Sequence, residues 1–138
     1  MLKLLIPILD RHGALEAARH GAFLFAEHCV SEVELIEVLE PLGADRSSAF
    51  HPLAKLRRKE AIEMRDALTR TCAILDDAGV PYTRKRVFGS PVSVIASSAR
   101  QAHADVIVLD ASRLGFLRKW SVLAQLQTRT STPVTVLH

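Results

Sequence analysis

The stretch Ala104-Asp105-Val106-Ile107-Val108-Leu109-Asp110 decides the fold, because four consecutive apolar residues stand between polar ends. Such a run is typical of a strand that is covered on both faces, as in a parallel sheet. A helix start precedes it at Gly89-Ser90-Pro91, where Ser suits the N-cap and Pro suits the first helical position. The loop Ala111-Ser112-Arg113-Leu114-Gly115 follows it, and the sequence closes on Thr132-Pro133-Val134-Thr135-Val136-Leu137. This order is typical of a small nucleotide-binding α/β domain.

The rest of the sequence repeats the alternation of strands and helices. Strands are predicted at Leu2–Leu9, Ser31–Leu39, Tyr82–Phe88, Val106–Leu109 and Val134–Leu137. Helices are predicted at Ala14–His28, at Leu53–Ala78 before Gly79, from Ser90-Pro91 onward, and at Leu117–Thr128. A turn is expected at 10–13 and a loop from Pro41 to Pro52. The sequence therefore predicts a doubly wound, five-stranded parallel α/β sheet with helices on both faces.

Length and composition place the protein among ordinary soluble domains. Its 138 residues are expected to form one domain, 1–138, and 49% hydrophobic with 24% charged residues fits a globular protein. No apolar run is long enough for a membrane span. The apolar start, Leu2 to Ile6, is interrupted by Pro7 and Asp10 and is better explained as a strand than as a signal sequence. We therefore expect a cytoplasmic protein without a membrane contact.

The two cysteines, Cys29 and Cys72, form no CxxC pair. Without metal-ligand spacing or a nearby partner in sequence, both are expected to be buried free thiols. No redox or metal chemistry is predicted from them.

Basic residues are unevenly distributed. The segment 111–138 contains Arg113, Arg118, Lys119 and Arg129 but no acid, which favours an anionic ligand or surface partner. Four charges are too few to predict nucleic-acid binding. The run Arg84-Lys85-Arg86 indicates an edge strand, where charge discourages unwanted pairing.

Ligands of doubly wound sheets bind beyond the carboxyl ends of the strands, where the strand order reverses. This rule points to Asp10, to Val38–Pro41 and to Asp110–Gly115. It does not point to a catalytic group, because Ser97 and Ser98 have no His or Asp partner at a suitable spacing. We therefore expect a protein that binds rather than catalyses.

A metal site is not expected either. His12, Glu16 and His20 follow one another at helical spacing, but two histidines eight residues apart lie about 12 Å apart along a helix. They cannot hold one ion together, so Glu16 is expected to form a solvent-facing ion pair with one of them.

Six segments taken together resemble the universal stress protein family, over essentially all 138 residues. They are Leu4-Leu5-Ile6-Pro7-Ile8, Val38-Leu39-Glu40-Pro41, Ala78-Gly79-Val80-Pro81, Gly89-Ser90-Pro91, Ala104–Val108 and Thr132–Val136. The resemblance implies strand order 3-2-1-4-5 in an adenine nucleotide alpha hydrolase-like fold. It also implies a role in the stress response and a homodimer formed through the last strand, Val134, Thr135, Val136 and Leu137.

The resemblance leaves two hypotheses about nucleotide binding. ATP-binding members carry G-x-x-G and a later Gly-Ser or Gly-Thr, whose backbone N–H groups hold the phosphates. Here Asp110 stands at the first glycine, Gly115 remains, and Trp120-Ser121 replaces the later pair in a shorter loop. The leading expectation is a stress-response binding or regulatory domain without tight ATP binding, acting on a partner protein. The alternative is a member that binds ATP or another adenine nucleotide with slow or no hydrolysis.

Seven residues remain nucleotide-binding candidates by position: Asp10, Val38, Asp110, Ser112, Arg113, Gly115 and Ser121. Each has a structural alternative. Asp10 contacts a ribose, or it is a turn or cap residue before the following helix, and the two serines donate to phosphate or cap a helix. Arg113, Arg118 and Lys119 are better explained as a solvated helix end than as an anion cradle. Trp120 is expected in the core or in the dimer interface.

Overall fold

The computed structural model describes residues 1–40, 53–112 and 115–138, which form five strands and four helices around one sheet. The predicted loop Pro41–Pro52 and the candidate Arg113 lie outside the described residues. In chain order the elements are β1 (Leu2–Ile8), α1 (Leu15–Ala26), β2 (Val30–Leu39), α2 (Leu53–Ala78), β3 (Tyr82–Phe88), α3 (Pro91–Gln101), β4 (Val106–Asp110), α4 (Phe116–Arg129) and β5 (Val134–Leu137).

All strand pairs are parallel, and the strand order is β3-β2-β1-β4-β5. The predicted order 3-2-1-4-5 is therefore confirmed, as is the edge position of β3. Helices α1 and α2 cover one face of the sheet, where the core includes Ile6 and Leu75. Helices α3 and α4 cover the other face around Ile95 and Leu126. The carboxyl ends of β1 and β4 lie side by side at the point where the strand order reverses.

Strand β2 differs from the alternation suggested by its sequence. All residues from Val33 to Leu39 are buried, including Glu34 and Glu37. Neighbouring side chains of a strand point to opposite faces, so these two carboxylates enter opposite layers of the core. Their charges are met by Lys85 and Arg86 of β3, at 3.1 Å and 3.5 Å respectively.

Several element boundaries and exposures correct the sequence predictions. Helix α1 ends at Ala26, before His28, which has a left-handed backbone with φ of 62°. Ser90 is the N-cap of α3, as predicted, but its side chain makes no capping hydrogen bond. Cys72 is buried as expected, whereas Cys29 is exposed, because it lies in the turn between α1 and β2.

Two glycines allow chain reversals that other residues would resist. Gly79 follows the last residue of α2 with φ of +71°, as predicted for a helix C-terminus. Gly13 precedes α1 with φ of +73°, and a Cβ there would lie 2.9 Å from the Thr71 hydroxyl. That hydroxyl accepts the Ala14 N–H at 3.2 Å, so Gly13 lets the start of α1 dock against α2.

Replacing Gly13 by alanine is expected to lower the free energy of unfolding by about 2–3 kcal/mol. Gly79→Ala is the matched control, because its φ is nearly the same but nothing lies within 4 Å of the added Cβ. It should cost only the backbone strain, about 1–2 kcal/mol. Urea unfolding of both variants measures the difference. Equal losses would mean that the contact with Thr71 is unimportant.

None of the described helices combines the length and the apolar character that crossing a membrane requires.

Candidate functional site

A cavity of about 310 Å³ opens where the carboxyl ends of β1 and β4 meet the start of α1. This is the place where doubly wound folds bind ligands. Its lining comprises Pro7, Leu9, Asp10, His12, Gly13, Leu15, Glu16, Arg19, Asp110 and Ser112. The charged side chains of this described lining are three carboxylates and one guanidinium, so the described part of the cavity is predominantly acidic.

Asp110 is the best-connected side chain of this cavity. Its Oδ2 accepts the backbone N–H groups of Glu16, at 2.9 Å, and of Ala17, at 3.1 Å. Its Oδ1 accepts the backbone N–H of Ser112 at 3.2 Å and the Ser112 hydroxyl at 2.6 Å. Both carboxylate oxygens are therefore committed to partners within the chain.

The position of this carboxylate explains why α1 starts where it does. The first N–H groups of a helix lack partners within the helix and carry partial positive charge. The N-cap residue of α1, Ala14, has no side chain that can accept them. Asp110, from the end of β4, supplies the missing acceptor and places a negative charge at the helix start. An external anion at this helix terminus would have to displace it.

Asp10 forms the turn that leads into α1. Its Oδ1 accepts the His12 N–H at 2.9 Å, and its carbonyl oxygen accepts the Gly13 N–H at 3.1 Å. The turn interpretation of Asp10 is therefore confirmed, but its proposed capping of α1 is wrong, since Asp110 fills that role. The Oδ2 atom of Asp10 remains at the cavity as an acceptor.

Glu16 forms its ion pair with Arg19, one helical turn ahead, and not with a histidine. The expectation of a histidine partner was wrong: the Glu16 carboxylate pairs with Arg19, and His12 belongs to the turn before α1. Among the described residues, no group of three or more His, Cys, Asp or Glu side chains could hold a metal ion.

The remaining candidates lie away from the cavity lining. Val38 is buried, with 1% of its surface exposed, and packs in the α3–α4 layer. Gly115 is the N-cap of α4, and Ser121, six residues further on within the helix, accepts a hydrogen bond from Gln125 at 3.0 Å. Trp120 was expected either in the core or in the dimer interface. Because 51% of its surface is exposed, it is not a core residue.

Most basic side chains of the C-terminal segment have partners in the chain. Arg118 donates to Glu40 at 2.6 Å, and Arg129 donates to the Ser93 hydroxyl at 2.8 Å. Lys119 contacts the imidazole of His138. Helix α4 has no acid in its first turn and no side-chain cap, so its start is electropositive, but Arg118 is already neutralised.

Sequence reasoning missed Glu16 and Arg19 as cavity residues, although both lie in the first turns of the helix after β1. It also missed the buried Glu37, because the cation that pairs with this carboxylate comes from another strand, at Arg86. The Cys72 thiol is free and buried, as expected, and burial raises its pKa, which disfavours the reactive thiolate.

A parallel sheet of order 3-2-1-4-5, with a cavity at the reversal point, defines a doubly wound α/β domain with the adenine nucleotide alpha hydrolase-like fold. The sequence profile of the universal stress protein family matches residues 1–138. The protein belongs to the universal stress protein family. Among proteins with curated functions, no match to this sequence was found.

Solved structures of this family share the fold. Universal stress protein UspA from Lactobacillus plantarum superposes with a TM-score of 0.73 at 20% identity, over 99% of this chain and 97% of that one. The Archaeoglobus fulgidus protein in complex with dAMP gives 0.70 at 16% identity, over 100% and 98%. An Arabidopsis thaliana family member with AMP bound gives 0.62 at 14% identity, over 97% and 90%.

Proposed function

We propose that this protein is a cytoplasmic, non-catalytic regulatory domain of the stress response that acts as a homodimer and does not hold ATP tightly. The observation that carries the proposal is the Asp110 carboxylate, which accepts two N–H groups at the start of α1 and two hydrogen bonds from Ser112. Among the described lining residues, a polyphosphate in this cavity would meet that charge together with Asp10 and Glu16, and only Arg19 would offset it. Its binding would therefore be strongly opposed.

A non-catalytic role is supported by the state of the described nucleophile candidates. The Ser112 hydroxyl in the cavity donates to Asp110, a carboxylate that already accepts three backbone N–H groups. Ser97 accepts a hydrogen bond from Gln101, at 3.4 Å, and shows no bond to a histidine or carboxylate. The Cys72 thiol is buried with a raised pKa. Free thiols at both described cysteines fit a reducing compartment such as the cytoplasm.

Dimerisation through β5 is supported by the nature of this edge. Strand β5 pairs with β4 on one side only, and all its residues from Val134 to Leu137 are half-buried and uncharged. An uncharged strand edge readily pairs with another strand, and antiparallel pairing of two β5 strands creates a two-fold axis. A protein partner, rather than nucleic acid, is favoured because Lys85 and Arg86 of the basic edge are paired with buried carboxylates.

Thermal unfolding with Mg-ATP tests the proposal directly. A micromolar binder in roughly a thousandfold ligand excess gains about 4 kcal/mol, which raises the melting temperature by on the order of 10 °C. We expect a shift below about 1 °C with millimolar Mg-ATP, which corresponds to a few tenths of a kcal/mol. A large upshift would refute the lack of tight ATP binding. Light scattering at low micromolar protein tests the dimer, and a monomeric mass would exclude it.

Binding of an adenine monophosphate is the second candidate. Solved family members are described in complex with cAMP, with dAMP and with AMP bound. A cavity of about 310 Å³ reaches the lower end of ligand-site volumes, and Asp10 Oδ2 could accept a ribose hydroxyl. Calorimetric titration with AMP tests this. Saturable binding that Asp10→Ala abolishes would support the candidate, whereas binding heat indistinguishable from dilution would exclude it.

A further inference from the structure

A second cavity, of about 510 Å³, lies between α2 and the carboxyl ends of β2 and β3. It shares no lining residue with the cavity at β1 and β4. Its lining is Leu39, Glu40, Arg57, Glu60, Ala61, Arg86 and Phe88. The register of the two strands pairs Leu39 with Phe88 and Glu37 with Arg86, so these four side chains point to the same face of the sheet, towards α2.

The floor and one wall of this cavity are apolar. Leu39 is buried, Ala61 is half-buried, and Phe88 leaves 71% of its surface exposed beside them. A large exposed aromatic side chain at the mouth of an apolar cavity gains from being covered by an apolar ligand. The shape therefore suits a ligand with an aromatic or branched apolar body.

Arg86 is held at this cavity by Glu37. Their side chains meet at 3.5 Å, and Glu37 has only 4% of its surface exposed. Burying a carboxylate is costly unless it is paired, and a guanidinium carries five N–H donors, of which this pair uses only part. The buried Glu37 thus restricts the position of Arg86, while further donors of the guanidinium remain available at the cavity.

The other charges at the rim also favour a negatively charged ligand. Arg57 has no ion-pair partner among residues 1–40, 53–112 and 115–138, while Glu40 is already paired with Arg118. Burial, followed by the charges of Glu40 and Glu63, raises the pKa of the Glu60 carboxyl. The one remaining acid of the rim is thereby less readily ionised.

We propose that this second cavity binds a small monoanionic amphiphile, a carboxylate on an aromatic or branched apolar body. The apolar part lies against Leu39, Ala61 and Phe88, and the carboxylate is bound by Arg57 and Arg86. Ligand binding at this second cavity does not depend on whether the first cavity binds a nucleotide. The two proposals can therefore be tested separately.

Titration of the ¹⁵N-labelled protein with 4-phenylbutyrate tests the site, with 4-phenylbutan-1-ol as the uncharged counterpart. We expect saturable amide shift changes around Ala61 and Phe88, with a dissociation constant on the order of 1 mM for so small a probe. The alcohol should bind at least about tenfold more weakly, because it lacks the charge that the guanidinium groups recognise. Absence of saturable shifts, equal binding of the alcohol, or shifts confined to the first cavity would overturn the proposal.

Two sets of variants test whether the ligand binds inside the cavity or on the surrounding surface. Ala61→Phe fills the cavity and should abolish binding, whereas Ile62→Phe, at the neighbouring exposed position, should leave it unchanged. The double variant Glu37→Gln/Arg86→Gln removes the guanidinium without leaving a buried unpaired charge, and it should weaken binding at least about tenfold. Retained affinity in Ala61→Phe, or in a folded double variant, would refute the assigned contacts.

Discussion

Replacing Asp110 by alanine is expected to lower the free energy of unfolding by about 2–3 kcal/mol. The substitution removes all four hydrogen bonds of the carboxylate and leaves the N–H groups of Glu16 and Ala17 without their acceptor. It also removes the negative charge from the start of α1 and the link between this helix and β4. Urea unfolding monitored by circular dichroism measures the loss.

Two further variants apportion this effect. Asp110→Asn keeps an oxygen that can accept the N–H groups of α1, so it should lose about 1 kcal/mol less than alanine. Ser112→Ala removes only the hydroxyl bond at 2.6 Å to the other carboxylate oxygen and should cost about 1 kcal/mol. If Asp110→Ala unfolds within about 0.5 kcal/mol of the wild type, as ordinary surface variants do, Asp110 does not anchor α1.

Lys85→Ala is expected to cost about 2–3 kcal/mol, although Lys85 lies on an exposed edge strand. Its ammonium group is 3.1 Å from Oε1 of Glu34, which has only 3% of its surface exposed. The other oxygen, Oε2, is buried with no hydrogen-bond partner among the described residues. Removing one member of a buried pair costs about 3–5 kcal/mol, and the figure is reduced here because the lysine side chain is half exposed to water.

Arg84→Ala, next to it on the same strand, is the matched control. Arg84 forms no ion pair with any carboxylate of the described chain, so its loss should change stability by less than about 1 kcal/mol. Glu34→Leu/Lys85→Leu, which removes both charges, should recover most of the stability. If Lys85→Ala is as mild as Arg84→Ala, the stability of the edge strand does not depend on the Glu34 contact.

The fold could be predicted from the sequence because its signals are local. Runs such as Val106–Leu109 indicate strands buried on both faces, Gly79 marks a helix end, and the alternation of elements fixes a parallel sheet. The strand order followed from the resemblance and was confirmed by the register of the five strands.

The chemistry of the site was less accessible from the sequence because its contacts are distant along the chain. Asp110 caps a helix that begins more than ninety residues earlier, and nothing near Ala14 in the sequence points to it. Nothing in the sequence near Glu34 and Glu37 shows that both carboxylates are buried, because their cations come from β3, much later in the chain. The exposure of Cys29 depends on where α1 ends, and helix ends are the least sharply encoded feature of a sequence.

The two edge strands of the sheet differ in charge. Strand β3 carries Arg84, Lys85 and Arg86, whereas β5 carries no charged residue. A sheet can extend into a filament only if each added molecule leaves another edge strand free to pair. In the homodimer that we propose, association through β5 would use the uncharged edge of both molecules and would leave the two β3 edges facing outward. The basic side chains of β3 would then disfavour the addition of a third molecule, so that growth would end at the dimer.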